Sequence, residues 1–310
     1  MTTQLEQIVY PSTPFPLAES LILLGRRGSE SHGLRLPDKT VNDRDLMGIV
    51  VPPKPYYLGL KQWEGAEGIT GEWDVVLFEV RKFIRLLMKQ NPNVLELLWV
   101  EEDDVLHRSV EGTVLIGNRD LFRHEGYARN TFAGYAHGQL QKMTAFDAPT
   151  MAYIDDLERR LKDGGVDPQH VIAEPPIEVP VDLEIVADTY RAMRKKYRAA
   201  YMGAKRWESV REFKYDVKNA GHLVRLLHTG VEYLTQGKVN VRRTWDREML
   251  LEIKRGEWEL ERIKEHAELW FSKLESAKSV LPVGIDEHQV EQLVLYIIES
   301  RLELGHVMGS

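Results

Sequence analysis

Asp43 and Asp45 stand one residue apart at the head of an apolar run, Leu46 to Val51, and follow a Gly28-Ser29 pair after thirteen intervening residues. In an extended chain residues i and i+2 point to the same face, so the two carboxylates project together, about 7 Å apart along the backbone. Two converging hard anions suit Mg²⁺ (or Mn²⁺), which take oxygen ligands. A third carboxylate from a neighbouring strand completes a site for two ions roughly 3.5–4 Å apart. Asp74, near the start of the next apolar strand, is the candidate, and Glu72 is its rival. Gly28 and Ser29 serve a different purpose. A glycine lets backbone approach a ligand without a Cβ in the way, and backbone N–H groups with the Ser29 hydroxyl can hold the oxygens of a nucleoside triphosphate. An isolated Asp-x-Asp also occurs in turns that lead into strands; the Gly-Ser loop and the two framing strands are what favour a metal here. His32 and Glu30, inside the loop, read as solvent-facing or loop-stabilising. Glu101, Glu102, Asp103 and Asp104 read as a solvated acidic turn, because consecutive residues rarely converge on one ion.

Alternating strands and helices must hold these groups. Ser20 to Leu24, Leu46 to Val51 and Trp73 to Val80 are apolar, rich in β-branched or aromatic residues, and stopped by Gly25, by Pro52-Pro53 or by a change to helical periodicity over Arg81 to Lys89. Thr113 to Ile116 is expected to add a short strand. Beyond about residue 118 the pattern is helical, with helices expected over Asp120–Met143, Asp182–Arg211, Asp216–Gln236, Arg247–Ala277 and Glu287–Leu304. The Gly- and Pro-containing stretch Asp163 to Pro180 reads as a loop or linker. The expected fold class is α+β: an N-terminal α/β domain with a mixed sheet over residues 1–118, then a mostly α-helical domain over 119–310, with a loop or linker at about 145–181.

At 310 residues, 43% hydrophobic and 29% charged, the chain has the composition of a globular protein large enough for two cores. It has no cysteine, which excludes disulfides and thiolate-held zinc. No run approaches the roughly 18–20 apolar residues of a membrane span, and the N-terminus lacks the basic start and apolar core of a secretory signal; a cytoplasmic protein with no membrane partner is expected. The net charge of −7 is unevenly spread. From Arg191 to Lys218 ten Lys or Arg face Glu208, Glu212 and Asp216, a local +7, so the remaining residues sum to −14. Such a run suits an anion-binding surface or the solvated face of a long helix. Tyr197 and Tyr201 within it suit stacking on a single-stranded nucleic acid, or packing at a core edge. In the helix after Asp216, Val217, Ala220, Val224, Leu227 and Val231 form a core stripe. Lys218, His222 and Arg225 share another sector, suited to phosphates or a nucleotide, or to ion pairs with an acidic neighbour.

Gly28-Ser29, the loop and Asp43-Arg44-Asp45 resemble the signature of the nucleotidyltransferase superfamily that includes DNA polymerase beta and kanamycin nucleotidyltransferase. The closer likeness is to the predicted nucleotidyltransferases associated with RNA repair in bacteria and phages. Their GS-x-x-x-G-L, Asp-x-Asp, YLGL and NPNxLELL elements are matched by Gly28 to Leu34, Asp43 to Asp45, Tyr57 to Leu60 and Asn91 to Leu98, and their Lys/His/Arg helix by Tyr215 to Leu227. Asn42 stands where many members have Ser, and can make the same local backbone hydrogen bonds. The resemblance implies a metal-dependent enzyme that moves a nucleoside monophosphate from a triphosphate to a hydroxyl. Asp43, Asp45 and Asp74 would be catalytic and metal-binding, and Gly28, Ser29, Lys218, His222 and Arg225 would hold the nucleotide. An RNA 3′ end is the acceptor it suggests; a protein hydroxyl, a small molecule or a nucleotide-binding regulator with little turnover are the alternatives.

Overall fold

The computed structural model describes residues 8–36, 44–145, 148–172, 178–196 and 210–307. It divides into two compact units interleaved in sequence. One comprises residues 1–135, 225–251 and 268–310, and the other residues 136–224 and 252–267.

The first unit is built on a mixed five-stranded sheet in the order β3-β4-β2-β1-β5, where β1 is Leu21–Arg26, β2 Arg44–Val50, β3 Gly65–Thr70, β4 Trp73–Glu79 and β5 Val105–Arg108. β2 and β4 are parallel; β1 runs antiparallel to both β2 and β5, and β3 antiparallel to β4. β1 runs on through Gly25 to Arg26, past the expected stop. β4 alternates buried and half-buried residues. Trp73, Val75 and Leu77 join Leu46, Val50, Leu21 and Phe15 in the core beneath one sheet face, and Asp74 therefore falls on the other. α1 (Val80–Met88) buries Val80, Phe83, Ile84 and Leu87. Its start is fixed by Glu79, whose side chain accepts from Lys82 N–H at 3.0 Å.

Three expectations are corrected. Thr113 to Ile116 lies in a helix, α2 (Val110–Gly117), not a strand. Ser109 caps it by accepting from Gly112 N–H at 3.3 Å, and the Thr113 hydroxyl donates to the Ser109 carbonyl at 2.9 Å; a four-residue apolar run does not by itself separate strand from helix. The span 145–181 is not a long loop, because Ala148–Asp163 is a 16-residue helix (α4, after α3 at Glu125–Met143). The second unit's core forms there: Ile154, Leu157 and Leu161 pack with Val186, Ala187 and Tyr190 of α5 (Glu184–Lys196). Finally, the helix expected over Arg247–Ala277 is two, α7 (Arg247–Arg255) and α8 (Leu260–Ser276). Gly256 breaks it at φ +76°, with its N–H donating to Ile253 and that of Glu257 to Glu252, a left-handed C-cap that favours glycine. A Cβ there would also run into the Phe213 ring.

α6 (Val217–Gln236) and α9 (Glu287–Val307) follow the expected helical pattern. The last strand among the described residues is β5. No helix of the described residues is long and apolar enough to cross a membrane.

Candidate active site

The parallel register of β2 and β4 sets Asp45 directly beside Asp74. Laterally paired residues of neighbouring strands share a face, with strands roughly 4.8 Å apart, so both carboxylates rise from the sheet face opposite the Trp73 core. Both are half-buried. Asp43 lies outside the described residues, and among those described no group of three or more metal-binding side chains converges. Glu72 goes elsewhere. It belongs to the turn between β3 and β4, and its carboxylate meets Arg44 Nε at 3.3 Å; the Arg44 guanidinium lies 4.9 Å over the Trp73 ring.

The Gly28 loop closes over the aspartate pair. Arg27 N–H donates to the Asp45 carbonyl at 2.8 Å, and Arg27 Nη2 lies 3.4 Å from Asp74 Oδ1. Gly28 follows at φ +71°, and an ideal Cβ on it would run into the Asp45 carboxylate. Only glycine accepts both that backbone and that neighbour. Ser29 is next, half-exposed, in the short turn Gly28–Ser31. Arg27 was missed in the sequence; its signal was a cation directly before the Gly-Ser pair.

His32 is buried rather than solvent-facing. Its Nε2 lies 2.9 Å from Glu96 Oε2, and Arg225 Nη1 donates to Glu96 Oε1. Thus the loop, the NPNxLELL element and α6 meet in one buried triad. Burial would raise the Glu96 carboxyl, but Arg225 and His32 outweigh it and hold it well below the usual carboxylate range. Burial lowers His32, and Arg225 adds to this, so the ring is neutral near pH 7. With Glu96 ionised and acceptor-only, Nε2 of His32 carries the proton and donates. Arg225 is therefore a buried partner of Glu96. Lys218 and His222 belong to the second unit: Lys218 is exposed and His222 half-buried. Asp216 caps α6 there, accepting from Lys218 and Asn219 N–H at 3.0 and 3.1 Å.

Residues 240–247, also missed, brace the loop. Arg243 N–H donates to the His32 carbonyl at 3.0 Å, and Arg247 Nε to that of Gly33 at 2.9 Å. Arg242 Nη2 reaches Asp104 Oδ2 at 3.0 Å, and Arg26 Nη1 stands 3.7 Å from Asp104 Oδ1. The acidic turn is thus solvated only in part: Asp104 is buried and paired. Of the basic stretch from Arg191 to Lys218, residues 197–209 lie outside the described residues, Tyr197, Arg198 and Tyr201 among them.

Residues 3–156 match the model of the RNA repair pathway DNA polymerase beta family. Over that stretch the chain is similar to the DNA polymerase beta-like family. The family is one of nucleotidyltransferases, and the loop, the Asp45–Asp74 pair and Glu96 all lie inside the matched residues. No curated protein matches the chain.

Proposed function

We propose that the protein transfers a nucleoside monophosphate from a nucleoside triphosphate to a hydroxyl, the 3′ end of an RNA, with Mg²⁺ or Mn²⁺ as cofactor. The observation that carries this reading is the lateral pairing of Asp45 with Asp74 beneath Gly28, a position where only glycine fits against the Asp45 carboxylate. Two half-exposed carboxylates on one face are a hard-oxygen donor set that fits a divalent cation, and Asp43, two residues before Asp45, is the third ligand in this reading. Bound there, the cation would neutralise phosphate charge and favour the ionised acceptor.

The chain's own residues do the rest. The Gly28 backbone and Ser29 hold the phosphates, and Arg27 orients Asp74 and adds positive charge beside them. Asp74 takes the proton of the attacking hydroxyl. The acceptor oxygen bonds to the α-phosphorus, the bond to the bridging oxygen breaks, and pyrophosphate leaves; positioning and charge compensation supply most of the rate. Arg225 acts on the nucleotide indirectly, by holding Glu96 and hence the loop. Lys218 and His222 keep a proposed part in holding the nucleotide, and glutamine at either position is expected to weaken triphosphate binding. The test is incubation with each α-labelled triphosphate, Mg²⁺ and a pool of RNA. Pyrophosphate release with label on RNA is expected. Label on protein or on a small molecule would replace the acceptor, and triphosphate binding without release would replace the enzyme by a nucleotide-binding regulator.

A further inference from the structure

Trp245 is 57% exposed, yet its ring is held in one orientation. Its Nε1–H donates to Glu232, and that buried carboxylate is itself gripped by Arg243, at 3.0 and 2.7 Å. The indole stacks on His228, centroids 4.8 Å apart and planes at 28°, and lies nearly parallel to Trp270 at 5.8 Å. Below it Arg243 meets Asp246, which also binds His228 Nδ1 at 2.7 Å. A side chain more than half exposed gains little stability from such fixing, whereas a rigid aromatic plane with an open surface is prepared for a flat partner.

The surroundings name the partner. Lys273, exposed, lies 4.2 Å over the Trp270 ring, and Arg242 and Arg247 are exposed on either side of Trp245 in the chain. The segment that bears the plane also braces His32 and Gly33 through Arg243 and Arg247. Flat groups joined by phosphates and close to the Gly28 loop are the bases of a nucleic acid. We propose that Trp245 stacks a base of a single-stranded RNA whose phosphates Arg242, Arg247 and Lys273 neutralise. An open plane with separate cations beside it in the chain and over the neighbouring Trp270 ring suits a strand better than a free nucleotide, whose base is ordinarily enclosed. The proposal rests on the transferase reading only in taking RNA as the acceptor.

The probe is a fluorescein-labelled single-stranded RNA of about twelve nucleotides, a length within the usual range of such sites, followed by anisotropy at several salt concentrations. Trp245→Ala is expected to weaken binding about tenfold and Trp245→Phe only about twofold. Lys273→Gln should make the slope of log affinity against log salt shallower by roughly 0.7. In wild-type protein, an oligonucleotide carrying 5-iodouridine should crosslink to the peptide containing Trp245, a readout that needs no variant to fold. Unchanged affinity in Trp245→Ala, crosslinks only to other peptides, or loss of triphosphate rather than RNA binding each overturns the proposal. Pyrophosphate release, measured alongside, separates the two ideas. RNA binding through Trp245 without release removes the transferase and keeps the platform, while release with Trp245-independent RNA binding does the reverse.

Discussion

Two charge clusters in the sheet-bearing unit are built on opposite terms. Asp45 and Asp74 stand side by side, half-exposed, with Arg27 at 3.4 Å from one of them. Glu96, Arg225 and His32 are buried, with both carboxylate oxygens engaged at hydrogen-bond distance. Half-exposed carboxylates keep part of their hydration, so their charge costs little stability. Buried ones must be compensated from within, and removing one partner exposes the others to the full penalty of desolvation. In the proposed reaction the first arrangement would serve the chemistry, and the second would hold still the loop on which that chemistry depends.

The largest expected effect tests the open pair. Asp45→Asn and Asp74→Asn should each lower pyrophosphate release by about a thousandfold, the scale of losing one group that stabilises transition-state charge. Thermal unfolding should barely move, since neither side chain is fully buried. Near-normal turnover in either folded variant would reduce the pair to polar surface at a strand end.

The buried triad should respond the other way. Arg225→Met leaves Glu96 enclosed without its cation and should cost about 3–5 kcal/mol in urea unfolding. Replacing Glu96 with Leu at the same time should recover most of that, because a buried ion pair exchanged whole for apolar groups is nearly neutral. A single variant as stable as the parent would show that the triad does not hold the loop.

That contrast also explains what could be read in advance. The α+β class, the two strands that carry Asp45 and Asp74 and the helical remainder follow from local patterns: apolar runs, Pro and Gly stops, and a period of 3.6 residues; the parallel register that sets the two aspartates side by side does not. β3 was missed because GAEGIT, with its two glycines, has neither an apolar run nor alternation; it forms only because β4 offers an edge. His32, Glu96 and Arg225 were each noticed within a motif, but their convergence is tertiary, with Glu96 and Arg225 129 residues apart. Gly256 could have been read as a helix end. The bracing of the loop by residues 240–247 could not, because it passes through backbone carbonyls that carry no side-chain signature.

A smaller effect tests the loop itself. Ser29→Ala should weaken triphosphate binding by about 1.5–3 kcal/mol, the worth of a hydrogen bond to a charged group, as read by calorimetry with Mg²⁺ present. An unchanged affinity would leave Gly28-Ser29 as a turn only.

Acid should then weaken the buried side selectively. Burial lowers the proton affinity of both His32 and His228 in the folded chain, while the unfolded chain binds a proton at each near pH 6.5. The unfolded state therefore holds more protons as pH falls below that value, and stability drops by at most about 1.4 kcal/mol per pH unit for each histidine. The depressed Glu96 carboxyl adds a loss of the same sign below its ordinary range, near pH 4.3. Melting temperatures recorded from pH 7.5 to 5 should show this slope, and His32→Gln should flatten it; a parallel slope in that variant would mean His32 is not the group that resists protonation.

The smallest effect bears on the rival carboxylate. Glu72 and Asp74 are two residues apart, and in a continuous strand both would rise beside Asp45. β4 begins at Trp73, however, after a turn in which Gly71 takes φ +61°, and Glu72 instead pairs with Arg44 on the side of the Trp73 ring. That pair is solvent-exposed, 34% and 44% for the two side chains, so it is worth about 0–1 kcal/mol. Glu72→Gln should accordingly cost no more than about 1 kcal/mol in unfolding and change pyrophosphate release by less than about twofold. Both numbers come from one purified variant, by urea titration and a steady-state assay. An inactive Glu72→Gln beside an active Asp74→Asn would exchange the two roles, and would require the turn at Gly71 to rearrange when the nucleotide binds.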